Sequence, residues 1–213
     1  MSAFSCEHPS NITVTKKTYP VSGTVNGLAG SGLVLQNNGT DNFAVTGNGT
    51  IAFAAAVPSD TAYAITVLAQ PADPYQTCIV TNGTGTVPAA PVSNIDITCA
   101  TDKYSISGTV SGLLGTGLVL RNNGGDDLPI AADGGFTFAT QVESGNSYAV
   151  TVYTKPGSPA QTCTVNTGSG NVVNAAITSI NIICSISAYS VGGTVTGLLG
   201  SAVSYCKTTV PTS

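Results

Sequence analysis

The chain has 213 residues, a net charge of −4 and only 8% charged residues, against ~25% in an average soluble protein. Hydroxyl and amide groups therefore supply most of its polar surface, which suits short strands and turns and excludes long helices rich in Glu, Lys, Leu and Arg. The six basic residues are scattered, which argues against nucleic acid as a partner, and no apolar run approaches the ~20 residues of a membrane span.

In chain order, residues 1–18 come first. Met1 to Ser10 lacks the basic start and apolar centre of a signal peptide. Ser10-Asn11-Ile12-Thr13-Val14-Thr15 resembles Ser93-Asn94-Ile95-Asp96-Ile97-Thr98, so 1–18 reads as the end of a preceding repeat. Tyr19, Tyr104 and Tyr189 then recur at intervals of 85 residues, the strongest signal in the sequence. Residues 19–103 begin YPVSGTVNGLAGSGLVLQNNGTDN, and residues 104–188 begin YSISGTVSGLLGTGLVLRNNGGDD. Both read as β. In 19–103, Ile51 and Phe53, then Tyr63, Ile65 and Val67, then Cys78 and Val80, then Ile95, Ile97 and Cys99 alternate with period two, which sets them on one face of a strand. In 104–188 the same phase carries Tyr104, Ile106, Gly108 and Val110, then Leu118 and Leu120. The turn Asp133-Gly134-Gly135 precedes Phe136 and Phe138, a hairpin signal. Tyr148, Val150 and Val152, Cys163 and Val165, and Ile180, Ile182 and Cys184 complete the set. About seven short strands in each 85-residue unit predict an all-β chain of tandem sandwiches. The connections Ala100 to Lys103 and Ser185 to Ala188 are too short for wide independent motion of the units.

Residues 189–213 start a third unit, YSVGGTVTGLLGS, and then depart from it. The departure is a readable one. One permitted coding of Ser201 to Thr212 becomes, on loss of one GC dinucleotide, a coding that matches Ser31 to Asp41 at all eleven positions. The expectation is a shifted reading frame, with Cys206 incidental. DNA that cannot be re-read as the repeat would sink this.

The spacing GTV…G..G..L.L.NNG…DG.F.F…Y.VTV resembles bacterial immunoglobulin-like and prealbumin-like repeats of surface proteins, a group that includes the carboxypeptidase-regulatory-like domains. The resemblance covers Tyr19 to Ala188. It implies immunoglobulin-like or prealbumin-like sandwiches in an exported, multi-repeat protein, secreted or held at the cell surface. Some of those relatives carry Lys–Asn cross-links. No Lys recurs at matching positions of both units here.

Six cysteines in so weakly charged a chain point to an oxidising compartment. Cys78 and Cys99 occupy the same repeat positions as Cys163 and Cys184. Of the ~15 pairings six cysteines allow, the repeat favours Cys78–Cys99 and Cys163–Cys184. Buried free thiols are the alternative, and the Cys-x₂₋₄-Cys pairs of structural zinc are missing. Cys6 and Cys206 remain unassigned.

His8, the only histidine, lies outside the repeats, so neither unit can hold a Ser-His-Asp or Cys-His arrangement. The chain is read as non-enzymatic, with no cofactor. Candidate binding loops are Asn37, Asn38 and Asp41 in the first unit and Asn122, Asn123, Asp126 and Asp127 in the second. Oxygen-rich loops can hold calcium, although Asn, Asp and Gly are also what a plain turn requires. Asn-x-Thr sequons at Asn11, Asn38, Asn48 and Asn82 have no counterpart in the second unit. Tyr75 and Tyr153 are the aromatic candidates for a sugar platform, and neither recurs. The leading functional expectation is a structural spacer, adhesin stalk or filament subunit of a bacterial surface protein. The alternative is a carbohydrate- or protein-binding module that uses the Asn/Gly-rich loops. Two strands without a unit of their own, Ser10 to Thr15 and Tyr189 to Leu198, suggest head-to-tail self-association.

Overall fold

The computed structural model describes residues 15–188 together with 190, 192–194, 196 and 197. The strand expected at Ser10 to Thr15 (all but its last residue), the third-unit strand beyond Ala188 in large part, His8, Cys6, Cys206 and the frame-shifted tail lie outside the described residues.

Among the described residues there is no helix. The first sandwich comprises β1 (Thr18–Tyr19), β2 (Val21–Asn26), β3 (Val34–Asn37), β4 (Asp41–Ala44), β5 (Gly49–Ala52), β6 (Val57–Pro58), β7 (Ala62–Ala69), β8 (Gln76–Thr81), β9 (Thr84–Thr86) and β10 (Val92–Thr101). The second repeats the series as β11 (Lys103–Tyr104), β12 (Ile106–Ser111), β13 (Leu118–Asn122), β14 (Asp126–Ile130), β15 (Gly134–Thr137), β16 (Val142–Glu143), β17 (Ser147–Thr154), β18 (Gln161–Asn166), β19 (Ser169–Asn171) and β20 (Ile177–Ile186). In each, a sheet of order β5-β2-β10-β8 or β15-β12-β20-β18 faces a sheet of order β4-β3-β7-β9 or β14-β13-β17-β19. A two-stranded ribbon, β1-β6 or β11-β16, lies beside them. Each sandwich thus has eight strands in its two main sheets. The additional strands are the ones the apolar alternation could not mark. β9 and β19 are exposed along their whole length and are recognised only by their backbone pairing to β7 and β17.

The alternation sets the burial. Val21 and Val25 in β2, and Ile106 and Val110 in β12, point inward while their neighbours face out. Leu35, Ile97, Leu118, Leu120 and Ile182 are wholly buried. Each contributes roughly 1.5–3 kcal/mol by leaving water. The two cores are separate clusters, one of residues 21–99 and one of residues 106–184.

The first and last long strands of each sandwich are parallel neighbours, β2 with β10 and β12 with β20. The last strand also pairs antiparallel with β8 or β18. There Cys78 is bonded to Cys99 and Cys163 to Cys184, between residues directly opposite in register. On the outer face of the same pair, Ile79 opposes Thr98 in the first sandwich, and in the second the types are exchanged, Thr164 opposing Ile183.

Candidate functional site

The Asn-Gly loops are the β3–β4 and β13–β14 hairpin turns. Asn38 (φ 49°) and Gly39 (φ 72°) both take the left-handed conformation, as do Asn123 (φ 48°) and Gly124 (φ 75°). These residues open three-residue loops, 38–40 and 123–125, and two successive left-handed positions favour Asn and Gly. The side chains then serve the fold. Asn37 and Asn122 are each 2% exposed, and their Oδ1 atoms accept from Ala64 N (3.3 Å) and Ala149 N (3.1 Å). Asn38 and Asn123 donate from Nδ2 to Ala62 O (3.1 Å) and Ser147 O (3.0 Å). Asp41 and Asp126 each accept one backbone N–H, from Ala55 and Thr140, at 3.0 Å. Among the described residues no group of three His, Cys, Asp or Glu side chains converges as a metal site would require. A shallow cleft of about 480 Å³ lies beside the second loop, lined by Lys103, Asn122, Asn123, Asp126, Glu143 and Asn146 among others.

Asp127, the remaining loop candidate, belongs to a different arrangement. It sits opposite Arg121 across β13–β14 and receives Arg121 Nη2 at 2.7 Å as well as Arg121 Nε. This fork of two parallel bonds is the geometry guanidinium offers a carboxylate. The bond with Arg121 holds the Asp127 carboxyl below its ordinary range, and the same bond raises Arg121. The guanidinium also lies over the ring of Tyr153, 3.2 Å from its centroid, a cation–π contact. The first sandwich places uncharged groups at the same three positions. Gln36 Nε2 donates to Asn42 Oδ1 at 2.8 Å, and Leu68 stands where Tyr153 does. Tyr153 is 57% exposed, whereas Tyr75 is half-buried.

Tyr75 is part of the joint between the sandwiches. β10 ends at Thr101 and β11 starts at Lys103, so Asp102 alone connects them. Asp102 N donates to Tyr75 O (3.0 Å), and Asp102 O accepts from Ser144 N (2.8 Å). Ser144, only 4% exposed, accepts Tyr75 N on its Oγ at 3.0 Å and donates that hydroxyl to Val173 O. One serine thus ties the Asp73-Pro74-Tyr75 turn of the first sandwich to two loops of the second. Thr77 Oγ1 donates to Asp102 Oδ1 (2.8 Å), and Lys103 pairs with Glu143 at 3.3 Å. Burial, with the Asp102 charge second, raises the Tyr104 phenol. The far ends repeat parts of this pattern. Ser59 N donates to Lys17 O at 2.9 Å and Ser187 N to Ala160 O at 3.1 Å.

No family model matches the chain, and no curated protein matches it. Among solved structures, the major pilin protein T-13 from Streptococcus pyogenes aligns over 80% of this chain and 97% of its own, at 14% identity and a TM-score of 0.24. A superposition that loose carries no argument about role.

Two structural residues lie outside the set that the sequence singles out. Gln76 and Gln161 are each 2% exposed. Gln161 Oε1 accepts from both Leu114 N and Gly115 N at 2.7 Å, and its Nε2 donates to Gly112 O at 2.7 Å. Gln76 holds Ala29 N, Gly30 N and Gly27 O in the same way. A signal for them exists: a Gln two residues before the first cysteine of each repeat, on the inward phase of its strand.

Proposed function

We propose that this chain is a non-catalytic spacer segment of a bacterial extracellular or surface protein. The observation that supports it is the joint. A single connecting residue is hydrogen-bonded on both sides and backed by the buried Ser144, so the chain passes from one sandwich into the next without a free hinge. Covalent cross-bonds in both sandwiches suit an oxidising exterior. The residues that could have formed a recurrent binding cluster instead satisfy their own backbone. End-to-end self-association into filaments is part of this proposal and concerns segments at the two ends of the chain.

The cleft beside Asn122 and Asp126 supports a second reading, a module that binds carbohydrate or protein. A glycan array and a cell-binding assay with the intact chain separate the two. A spacer shows no specific binding. Specific binding that is lost in Asn123→Ala or Asp126→Ala would replace the spacer reading with the binding one.

A further inference from the structure

We infer that each sandwich is built as a mechanical clamp that resists tension along the chain. The inference deepens the spacer reading and rests on it for its biological use, while the geometry stands by itself. The chain enters each sandwich along β2 or β12 and leaves along β10 or β20. These strands are adjacent and parallel, in the registers Gly23↔Ile95, Thr24↔Asp96, Val25↔Ile97 and Gly108↔Ile180, Thr109↔Asn181, Val110↔Ile182. Tension on the ends pulls the first strand toward its N-terminus and the last toward its C-terminus. In a parallel pair those pulls act along the strands in opposite senses, so every rung of the ladder is loaded together in shear. An antiparallel pair loaded at its joined ends would open one rung at a time.

The ladder is reinforced at this seam. Ser22 Oγ donates to Val92 O and Ser107 Oγ to Ile177 O, both at 2.8 Å. Asn26 Nδ2 donates to Asp96 Oδ1 at 3.1 Å. The strands approach closely because Gly23 and Gly108 have no side chain. A methyl group at Gly23 would lie 2.5 Å from Ile95 O, and one at Gly108 would strike Ile180 O. On its other side the last strand is covalently fixed to β8 or β18 by the disulfide. Load then passes through Asp102 into β11 and β12 without a slack segment.

The clamp and the disulfide have separable signatures in single-molecule pulling of the full chain. With the disulfide intact, 21 of the 85 residues of a unit stay locked after rupture. Reduction should lengthen each unfolding step by roughly 75 Å, at ~3.6 Å per residue, and leave the peak force essentially unchanged. A peak force that collapses on reduction would assign the load to the disulfide and overturn the clamp. The second test changes only direction. A handle on Leu114→Cys, in a chain also carrying Cys6→Ser and Cys206→Ser, pulls against the C-terminus from the same end of the β12–β20 pair. It peels the ladder rather than shearing it. The second sandwich should then yield at a force lower by about twofold or more, because the evenly spaced rungs of a parallel ladder break singly. Equal forces in the two directions would refute the inference. Ser107→Ala should lower the shear force and leave the peeling force nearly constant, and a fall of equal proportion in both would count against the clamp. A failed clamp leaves the spacer reading intact, and specific ligand binding overturns that reading without altering these forces.

Discussion

Replacing Gln161 with Leu keeps the side chain's approximate volume and removes its hydrogen bonds. The amide accepts two backbone N–H groups and donates to one carbonyl. Gly115 is buried, so its N–H has no route to water once Oε1 is gone, whereas Gly112 is exposed and its carbonyl can be rehydrated. Leu114 is 65% exposed, so its N–H regains water at a smaller cost. A buried polar group left without its partner costs about 1–3 kcal/mol. One full penalty and one partial one give a loss on the order of 2–4 kcal/mol, offset slightly by the apolar replacement. For a unit of this size that lowers the melting temperature by on the order of 10–25 °C. Thermal and urea unfolding of the intact chain should show the second sandwich melting early and the first unmoved. The mirror variant, Gln76→Leu, should reverse the order. Gln161→Glu, which retains the two accepted bonds and loses the donated one, should fall between wild type and Gln161→Leu. If Gln161→Leu shifts stability by less than about 1 kcal/mol, the amide does not organise this loop and the argument fails.

Reduction of both disulfides should cost roughly 3 kcal/mol per sandwich, from loops with a sequence separation of 21; a non-reduced digest that links a cysteine of one repeat to a cysteine of the other would contradict the pairing. Ser144→Ala removes the acceptor for Tyr75 N and should speed hydrogen exchange at that amide about tenfold, with a loss of about 1–2 kcal/mol, while exchange in β2 and β10 stays constant. Because Arg121 lowers the Asp127 carboxyl in the folded state, the pair stabilises the fold above the ordinary carboxylate value of 3.8, and that contribution is lost as pH falls through the lowered value. Asp127→Asn should therefore remove part of the acid sensitivity of the second sandwich, read as its stability near neutrality against that below pH 3.8. Finally, sedimentation of the intact chain should reveal species larger than a monomer at high concentration, and a version trimmed to residues 19–188 should not; monomers in both samples would end the self-association proposal.

What could be read from the sequence is what burial imprints on it. A strand with one face in a core must alternate, so Ile106, Gly108 and Val110, or Ile180, Ile182 and Cys184, declare their inward phase without any structure. The recurrence at 85 residues then sorts the cysteines that share that phase. Strands held by backbone alone leave no such imprint. Thr84–Thr86 and Ser169–Asn171 are polar, exposed and short, and only their pairing to β7 and β17 makes them strands. The Asn-Gly loops pose the opposite difficulty. The residue types that would bind an ion or a sugar are the same ones a tight turn uses, and the sequence does not say that Asn37 and Asn122 turn inward to cap a neighbouring strand. Ser144 is hidden for a further reason. Its partners come from distant segments: Val173 lies in another loop of the same sandwich, and Tyr75 meets Ser144 only when two sandwiches are set end to end.

The exchanged pair on the outer sheet face has a consequence for how such an array can be recombined. In one sandwich Ile79 faces Thr98, and in the other Thr164 faces Ile183. Each strand therefore matches its own partner and not the corresponding partner next door. A crossover between repeat copies that falls between β8 and β10 would produce one daughter with isoleucine opposite isoleucine in water and another with threonine opposite threonine. The first gains an exposed apolar stripe beside an edge strand, an invitation to sheet-to-sheet sticking. A crossover near Lys103–Tyr104 keeps both pairs whole. Gene shuffling that adds or removes repeats thus has a safe breakpoint at the joint and a hazardous one between the two cross-bonded strands.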